Sequence, residues 1–130
     1  MRATTAPVAS VMHRSTVSVR PDTTVREIAE TLTREEVGAV TVRGGEGLVG
    51  IVSERDVVRA LSDGVDPDTD RAADLMTYDI VSVESVASIE SVASIMLDGG
   101  VRHLPVIDAG GPVGIVSIRD VLAAYVPTEV

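Results

Sequence analysis

Two heptapeptides, GIVSERD at 50–56 and GIVSIRD at 114–120, place a serine, an arginine and an aspartate at the same spacing twice. Ser53 and Ser117 fall where a strand-like apolar run gives way to a helical pattern, and Asp56 and Asp120 follow three residues later. Such a junction can hold an anion, because a helix N-terminus offers unpaired amides and the positive end of its dipole. A serine hydroxyl and the adjacent Arg55 or Arg119 can add donors, and an aspartate one turn in can accept hydrogen bonds from a ribose diol. Phosphate and ribose together suggest a nucleotide. The same spacing is that of a capping box, in which serine and aspartate do no more than start a helix. Gly50 and Gly114, inside the strand, leave room for close approach of backbone or ligand.

Other chemistry finds less support. No cysteine is present, which removes thiol catalysis, disulfides and zinc-thiolate sites and makes a reducing cytoplasm the expected compartment. Serine, histidine and aspartate all occur, yet there is no GxSxG elbow and the repeated serines lack a repeated histidine base, so no enzyme activity is expected. His13 has no counterpart in the repeat described below and reads as structural or exposed. Asp66, Asp68 and Asp70 imitate the start of a calcium loop, but Arg71 stands where the sharp turn needs glycine and Thr77 where a bidentate glutamate is needed. No metal or obligate cofactor is expected.

Twenty acidic against 11 basic residues give a net charge of −9, and every basic residue among the 11 is arginine. Bulk electrostatics therefore opposes nucleic acid and anionic lipid, and with two tyrosines as the only aromatics no base-stacking platform can be built. No window approaches the ~18 apolar residues of a membrane span, and the opening MRATTAPVASVMHR has no apolar run long enough for a signal peptide.

The residues with possible chemistry belong to a unit written twice. With a shift of 64, residues 8–60 match residues 72–124 at 18 of 53 positions without a gap. Each copy reads as a short helical lead-in (Val8, Val11 and Met12, or Ala72, Leu75 and Met76), a brief strand (Val17 and Val19, or Val81 and Val83) and an amphipathic helix. The helix carries Val25, Ile28, Ala29 and Leu32, or Ile89, Val92, Ala93 and Met96, at i, i+3, i+4, i+7. Thr24 and Glu27 have capping-box spacing; Ser88 and Ser91 make a weaker pair. AVTV (39–42) and LPVI (104–107) read as buried strands, joined by glycine-rich turns to LVGIV and PVGIV. A last helix is expected to bury Val57, Val58 and Leu61, or Val121, Leu122 and Tyr125. The fold class is α/β, two β-α-β-β-α repeats over 8–61 and 72–126, with 62–71 a polar, solvated linker.

The doubled pattern of MxxxTVSV or MxxxIVSV, an amphipathic helix, VRHLPVID (101–108) and GIVSxRDV resembles a pair of cystathionine-β-synthase (CBS) domains, a Bateman module, over residues 8–124. The resemblance implies two halves packed about a pseudo-two-fold axis, with clefts that in many members bind AMP, ATP, S-adenosylmethionine or related ligands. Carried over, Asp56 and Asp120 match ribose-binding aspartates, and Ser53 and Ser117 match phosphate-contacting residues. Thr16, Val17, Ile80 and Val81 match the segment lining the adenine pocket, and Arg102 and His103 stand where relatives place basic phosphate ligands. Gly38 and Ala39 replace that basic pair in the first copy, so unequal clefts are expected. The resemblance implies a sensor of adenosine nucleotide acting on a client protein, and a homodimer paired through its helices. The alternative is a ligand-free structural or dimerisation module.

Overall fold

The structure is a computed structural model describing residues 3–14 and 17–126. The described residues divide into two compact units: residues 17–80 form the first, and residues 3–14 with 81–126 form the second. The first contains β1 (Ser18–Val19), α1 (Val25–Glu35), β2 (Ala39–Gly44), β3 (Gly47–Ser53), α2 (Glu54–Ser62) and the single turn α3 (Ala72–Leu75). Its sheet runs β1-β2-β3, the first pair parallel and the second antiparallel. The second unit contains 3-10 turns at Ala3–Thr5 and Val8–Ser10, then α4 (Ile89–Gly99), β4 (His103–Asp108), β5 (Gly111–Ser117) and α5 (Ile118–Ala123).

Local chemistry sets the element boundaries. The Thr24 hydroxyl accepts from Glu27 N while Glu27 Oε1 accepts from Thr24 N, which completes the expected capping box of α1. Ser88 accepts from Ser91 N with no carboxylate to reciprocate. Both hairpins turn at a glycine with φ near +112°, Gly47 and Gly111, and both carry a bulge just before it, at Val42/Arg43 and Val106/Ile107. The ladders keep one register through the repeat: Ala39 pairs with Ser53 as His103 pairs with Ser117.

The two cores are one core built twice. Val19, Val25, Ile28, Leu32, Val40, Val42, Val52 and Val57 pack together in the first unit. Their 64-residue counterparts Val83, Ile89, Val92, Met96, Leu104, Val106, Val116 and Val121 pack together in the second. The lead-ins complete these cores crosswise. Ala72 and Met76, which open the second repeat, are buried in the first unit, and Val8, which opens the first repeat, is buried in the second. Backbone bonds repeat the exchange: Val25 N donates to Asp70 O and Ala72 N to Thr23 O, as Ile89 N donates to Ala6 O and Val8 N to Ala87 O. Sequence repeats and compact units therefore have different boundaries.

Three departures from the sequence expectations have physical causes. Val81 and Val83 do not form a strand: only Val83 bridges β4, through Val83 N to Pro105 O and Ile107 N to Val83 O. In the first unit Thr41 N donates to Val17 O, but the equivalent of Thr41 is Pro105, which has no N–H to give. The last helices bury Val57 and Ala60, or Val121, whereas Val58 (66% exposed), Leu61 (47%), Leu122 (56%) and Tyr125 (49%) face outward. One residue advances a helix by about 100°, so neighbours of a buried position leave the core face. The polar stretch at 62–71 is exposed yet tied down. Arg26 hydrogen-bonds Asp68 and holds its carboxyl below the usual range, Asp66 N donates to Asp70 Oδ2, and Arg26 N donates to Pro67 O. Among the described residues no helix is long and apolar enough to cross a membrane, and no cluster of potential ligands could hold a metal ion.

Candidate functional site

Each Ser-x-x-Asp motif sits where a hairpin strand becomes a helix. In the first unit Ser53 N and Ser53 Oγ donate to Asp56 Oδ2 at 2.8 and 2.9 Å, and Asp56 N donates back to Ser53 Oγ at 3.2 Å. In the second, Ser117 N donates to Asp120 Oδ2 at 2.8 Å and Asp120 N to Ser117 Oγ at 3.1 Å. Both are capping boxes, and in both only Oδ2 of the carboxylate serves the cap. Capping and ligand binding are therefore compatible: the box aims the aspartate and leaves Oδ1 outside it.

The helix amides are less available than an N-terminus alone suggests. Glu54 N donates across the sheet to Gly38 O, and Ile118 N donates to Arg102 O. With Asp56 N and Asp120 N on the serines, Arg55 N and Arg119 N are the first-turn amides left without a partner among the described residues. Arg55 and Arg119 are exposed at these turns.

The sheet register places the basic pair as the sequence alignment expected. His103 lies opposite Ser117, and Gly38 and Ala39 occupy the same ladder positions opposite Ser53. Arg102, His103, Ser117, Arg119, Asp120 and Val81 thus belong to the second unit, and Val17, Ser53, Arg55, Asp56 and Ile80 to the first. Thr16 lies outside the described residues. The segments matched to the adenine pocket also differ. The Val17 carbonyl accepts from Thr41 N at 3.3 Å, whereas the Val81 carbonyl, facing the register position of Pro105, has no partner among the described residues.

His13 is both structural and exposed, as its sequence context suggested, but its nearness to Asp120 was not legible there. Its N–H donates to Ile115 O and its carbonyl accepts from Ile115 N, which docks it on β5, and its Nε2 lies 3.4 Å from Asp120 Oδ1. Thr77 occupies the equivalent place in the first unit, its N–H donating to Ile51 O. The signal was present as the shared position after Met12 and Met76, but it becomes readable only once the lead-ins are known to exchange. The group is no hydrolytic triad. Ser117 Oγ is held by the Asp120 amide, and among the described residues no hydrogen bond joins it to His13.

The close approach expected at the strand glycines is made by backbone and methionine. A methyl at Gly114 would collide with the His13 carbonyl oxygen, and one at Gly50 would lie 2.6 Å from Met76 Sδ.

Two α/β units of one repeated sequence, each presenting a boxed Ser-x-x-Asp at a strand-to-helix turn, define a tandem repeat module. The chain belongs to the CBS-domain family: the CBS domain matches residues 8–63 and again 72–127. A CBS-domain containing protein from Agrobacterium tumefaciens is 31% identical and superposes with a TM-score of 0.87 over 97% of this chain and 98% of that one. The CBS domain pair of protein MJ0100, solved in complex with 5′-methylthioadenosine and S-adenosyl-L-methionine, superposes with a TM-score of 0.83 at 20% identity, covering 92% of this chain and 99% of that one. An uncharacterized protein of Methanopyrus kandleri is 33% identical over 88% of this chain, which spans 60% of that protein's length.

Proposed function

We propose that the chain is a regulatory module, not an enzyme, that binds an adenosine-containing ligand of the AMP, ATP or S-adenosylmethionine class. Occupancy alters its conformation and hence its affinity for a client protein in the cytoplasm. The observation that carries this reading is the division of labour within each carboxylate. Oδ2 fixes the helix start, and Oδ1 stays outside the box at the turn where the unpaired amide and an arginine also lie. A ribose diol donates two hydrogen bonds, and a rigidly held carboxylate oxygen is a strong acceptor for them. The Val81 carbonyl, without a partner among the described residues, can accept from an adenine amino group in the second unit, and Arg102 supplies positive charge and His103 a ring nitrogen for phosphate. The fold relative MJ0100, with its two adenosyl ligands, supports the ligand class. A ligand shifts the conformation only as far as its affinities for the two states differ.

Thermal denaturation with AMP, ADP, ATP, S-adenosylmethionine and NAD tests the reading. A ligand at about 100 times its Kd adds about 2.7 kcal/mol to native stability, a rise in Tm on the order of 10 °C for a chain this size. No shift with any of them leaves the ligand-free dimerisation module. That second reading rests on the last helices, where Val58 and Leu61 on α2 and their counterparts, Leu122 on α5 and Tyr125 in the turn after it, expose apolar side chains in matched positions. These faces suit a homodimer in either reading. Light scattering at micromolar concentration should give about twice 13.6 kDa, and Leu61→Glu with Leu122→Glu should return the monomer mass. A wild type of 13.6 kDa refutes self-association.

A further inference from the structure

We infer that His13 gates the second of these sites by protonation: its imidazolium competes with a ligand's ribose for the Asp120 carboxylate, so binding there weakens as the pH falls. The inference rests on the nucleotide reading above. The two carboxylates differ in what they leave free. Asp56 Oδ1 has no partner among the described residues, whereas Asp120 has Oδ2 in its capping box and Oδ1 3.4 Å from His13 Nε2. An imidazolium N–H and a ribose hydroxyl are both donors, and they seek the same oxygen.

The anchoring of His13 makes the competition local. Its backbone is held by two hydrogen bonds to Ile115, and its carbonyl lies over Gly114 with no space beneath. The side chain is 58% exposed, which leaves the imidazole room to turn on its anchored backbone, whereas Asp120, 16% exposed, is held in its capping box. Few charged groups belong to the elements that meet here: Arg14 on its own segment and Arg119 and Asp120 on α5, of which Asp120 lies 3.4 Å from the imidazole. The strand beneath, β5, has no titratable side chain, and the nearest on β4, His103 and Asp108, stand at its two ends opposite Ser117 and Gly111 rather than at Pro105, across from Ile115. Ser85 N and Oγ donate to Asp108 and hold its carboxyl below the usual range, so that group stays anionic while histidine titrates. In the first unit the neutral Thr77 stands in the place of His13, so one site responds to pH and the other does not.

Linkage sets the sign and the ceiling. A ligand that binds only when His13 is uncharged loses at most tenfold in affinity per pH unit, and only over the range in which the imidazole is protonated. The test is calorimetric titration of the full chain with AMP and with 5′-methylthioadenosine, which has the diol and no group titrating between pH 5.5 and 8. Asp56→Asn serves as background to silence the first site. Between pH 8 and pH 5.5 affinity for 5′-methylthioadenosine should fall about tenfold, and the added substitution His13→Thr should abolish that fall and bind it at pH 5.5 as tightly as its parent does at pH 8; AMP, whose phosphate titrates in this range, serves as the comparison. Equal pH dependence with and without His13 overturns the gate while leaving the nucleotide reading intact. Absence of binding in every protein at both pH values overturns both. A ligand-free readout separates the pairing from the binding: the chain has two histidines, so proton NMR assigns His13 by its loss in His13→Thr. Asp120→Asn should move the His13 ring resonances at a fixed pH of 8, and unchanged resonances refute the contact on which the gate depends.

Discussion

Asp56→Asn and Asp120→Asn should each weaken adenosyl-ligand binding at their own site by roughly 10- to 100-fold while leaving the melting temperature within a few degrees of wild type. The box needs only one acceptor oxygen, which the carboxamide keeps for Ser53 N or Ser117 N. What the carboxamide loses is the charged second oxygen. Each charge-assisted hydrogen bond removed from a ribose is worth about 1.5 to 3 kcal/mol, which sets the fold-change. Alanine at the same positions removes the box as well and should cost about 1 kcal/mol of stability in addition. Calorimetric titration beside thermal denaturation of the four variants separates the roles. Asparagine variants that bind as tightly as wild type would mean the aspartates act only as caps. Because Gly38 and Ala39 occupy in the first unit the ladder positions that Arg102 and His103 occupy in the second, the wild-type isotherm should show two unequal constants; identical, independent sites would contradict that asymmetry.

Gly114→Ala should lower stability by about 2 to 3 kcal/mol, a fall in Tm on the order of 10 °C, and Gly50→Ala by clearly less. The two glycines are equivalent in the repeat, so the difference lies in what each faces. At Gly114 the added methyl meets the His13 carbonyl, a backbone atom already bonded to Ile115 N, and comes within 3.1 Å of Met12 Sδ. Relief there requires peeling the lead-in from β5. At Gly50 the obstruction is the Met76 side chain, Sδ at 2.6 Å, Cγ at 2.8 Å and Cβ at 3.0 Å; the flexible thioether end can turn aside, and only Cβ must give by a few tenths of an ångström. Urea denaturation of both variants checks the order; a Gly50 variant as unstable as the Gly114 variant would mean that both lead-ins dock with equal rigidity.

Much of this molecule follows from its residues without reference to a fold. The 64-residue repeat, the helix faces from Val25 to Leu32 and from Ile89 to Met96, the two hairpins with their glycines, and the capping boxes are local or periodic features. Each depends on neighbours a few residues away, so the sequence carries it entire. The side on which Val58, Leu61, Leu122 and Tyr125 would lie does not, because a helix with apolar residues at successive positions has more than one face that could turn inward, and what it packs on decides. Pro105 lay in plain view within a strand pattern, yet its effect concerns the Val81 carbonyl, a partner distant in sequence.

The exchange of lead-ins is the deepest example of what only tertiary structure decides. Val8 with Met12 and Ala72 with Met76 offer the same apolar pattern, and the two cores they complete match position for position, so burial energy scarcely distinguishes one docking from the other. The route of the chain makes the choice, carrying the first repeat's lead-in to β5 and the second's to β3. That choice brings His13 to Asp120 across more than a hundred residues and makes the two halves of a repeated sequence chemically unequal: a histidine docked on β5 meets one carboxylate, a threonine takes the equivalent place on β3, and nothing local to either residue determines which.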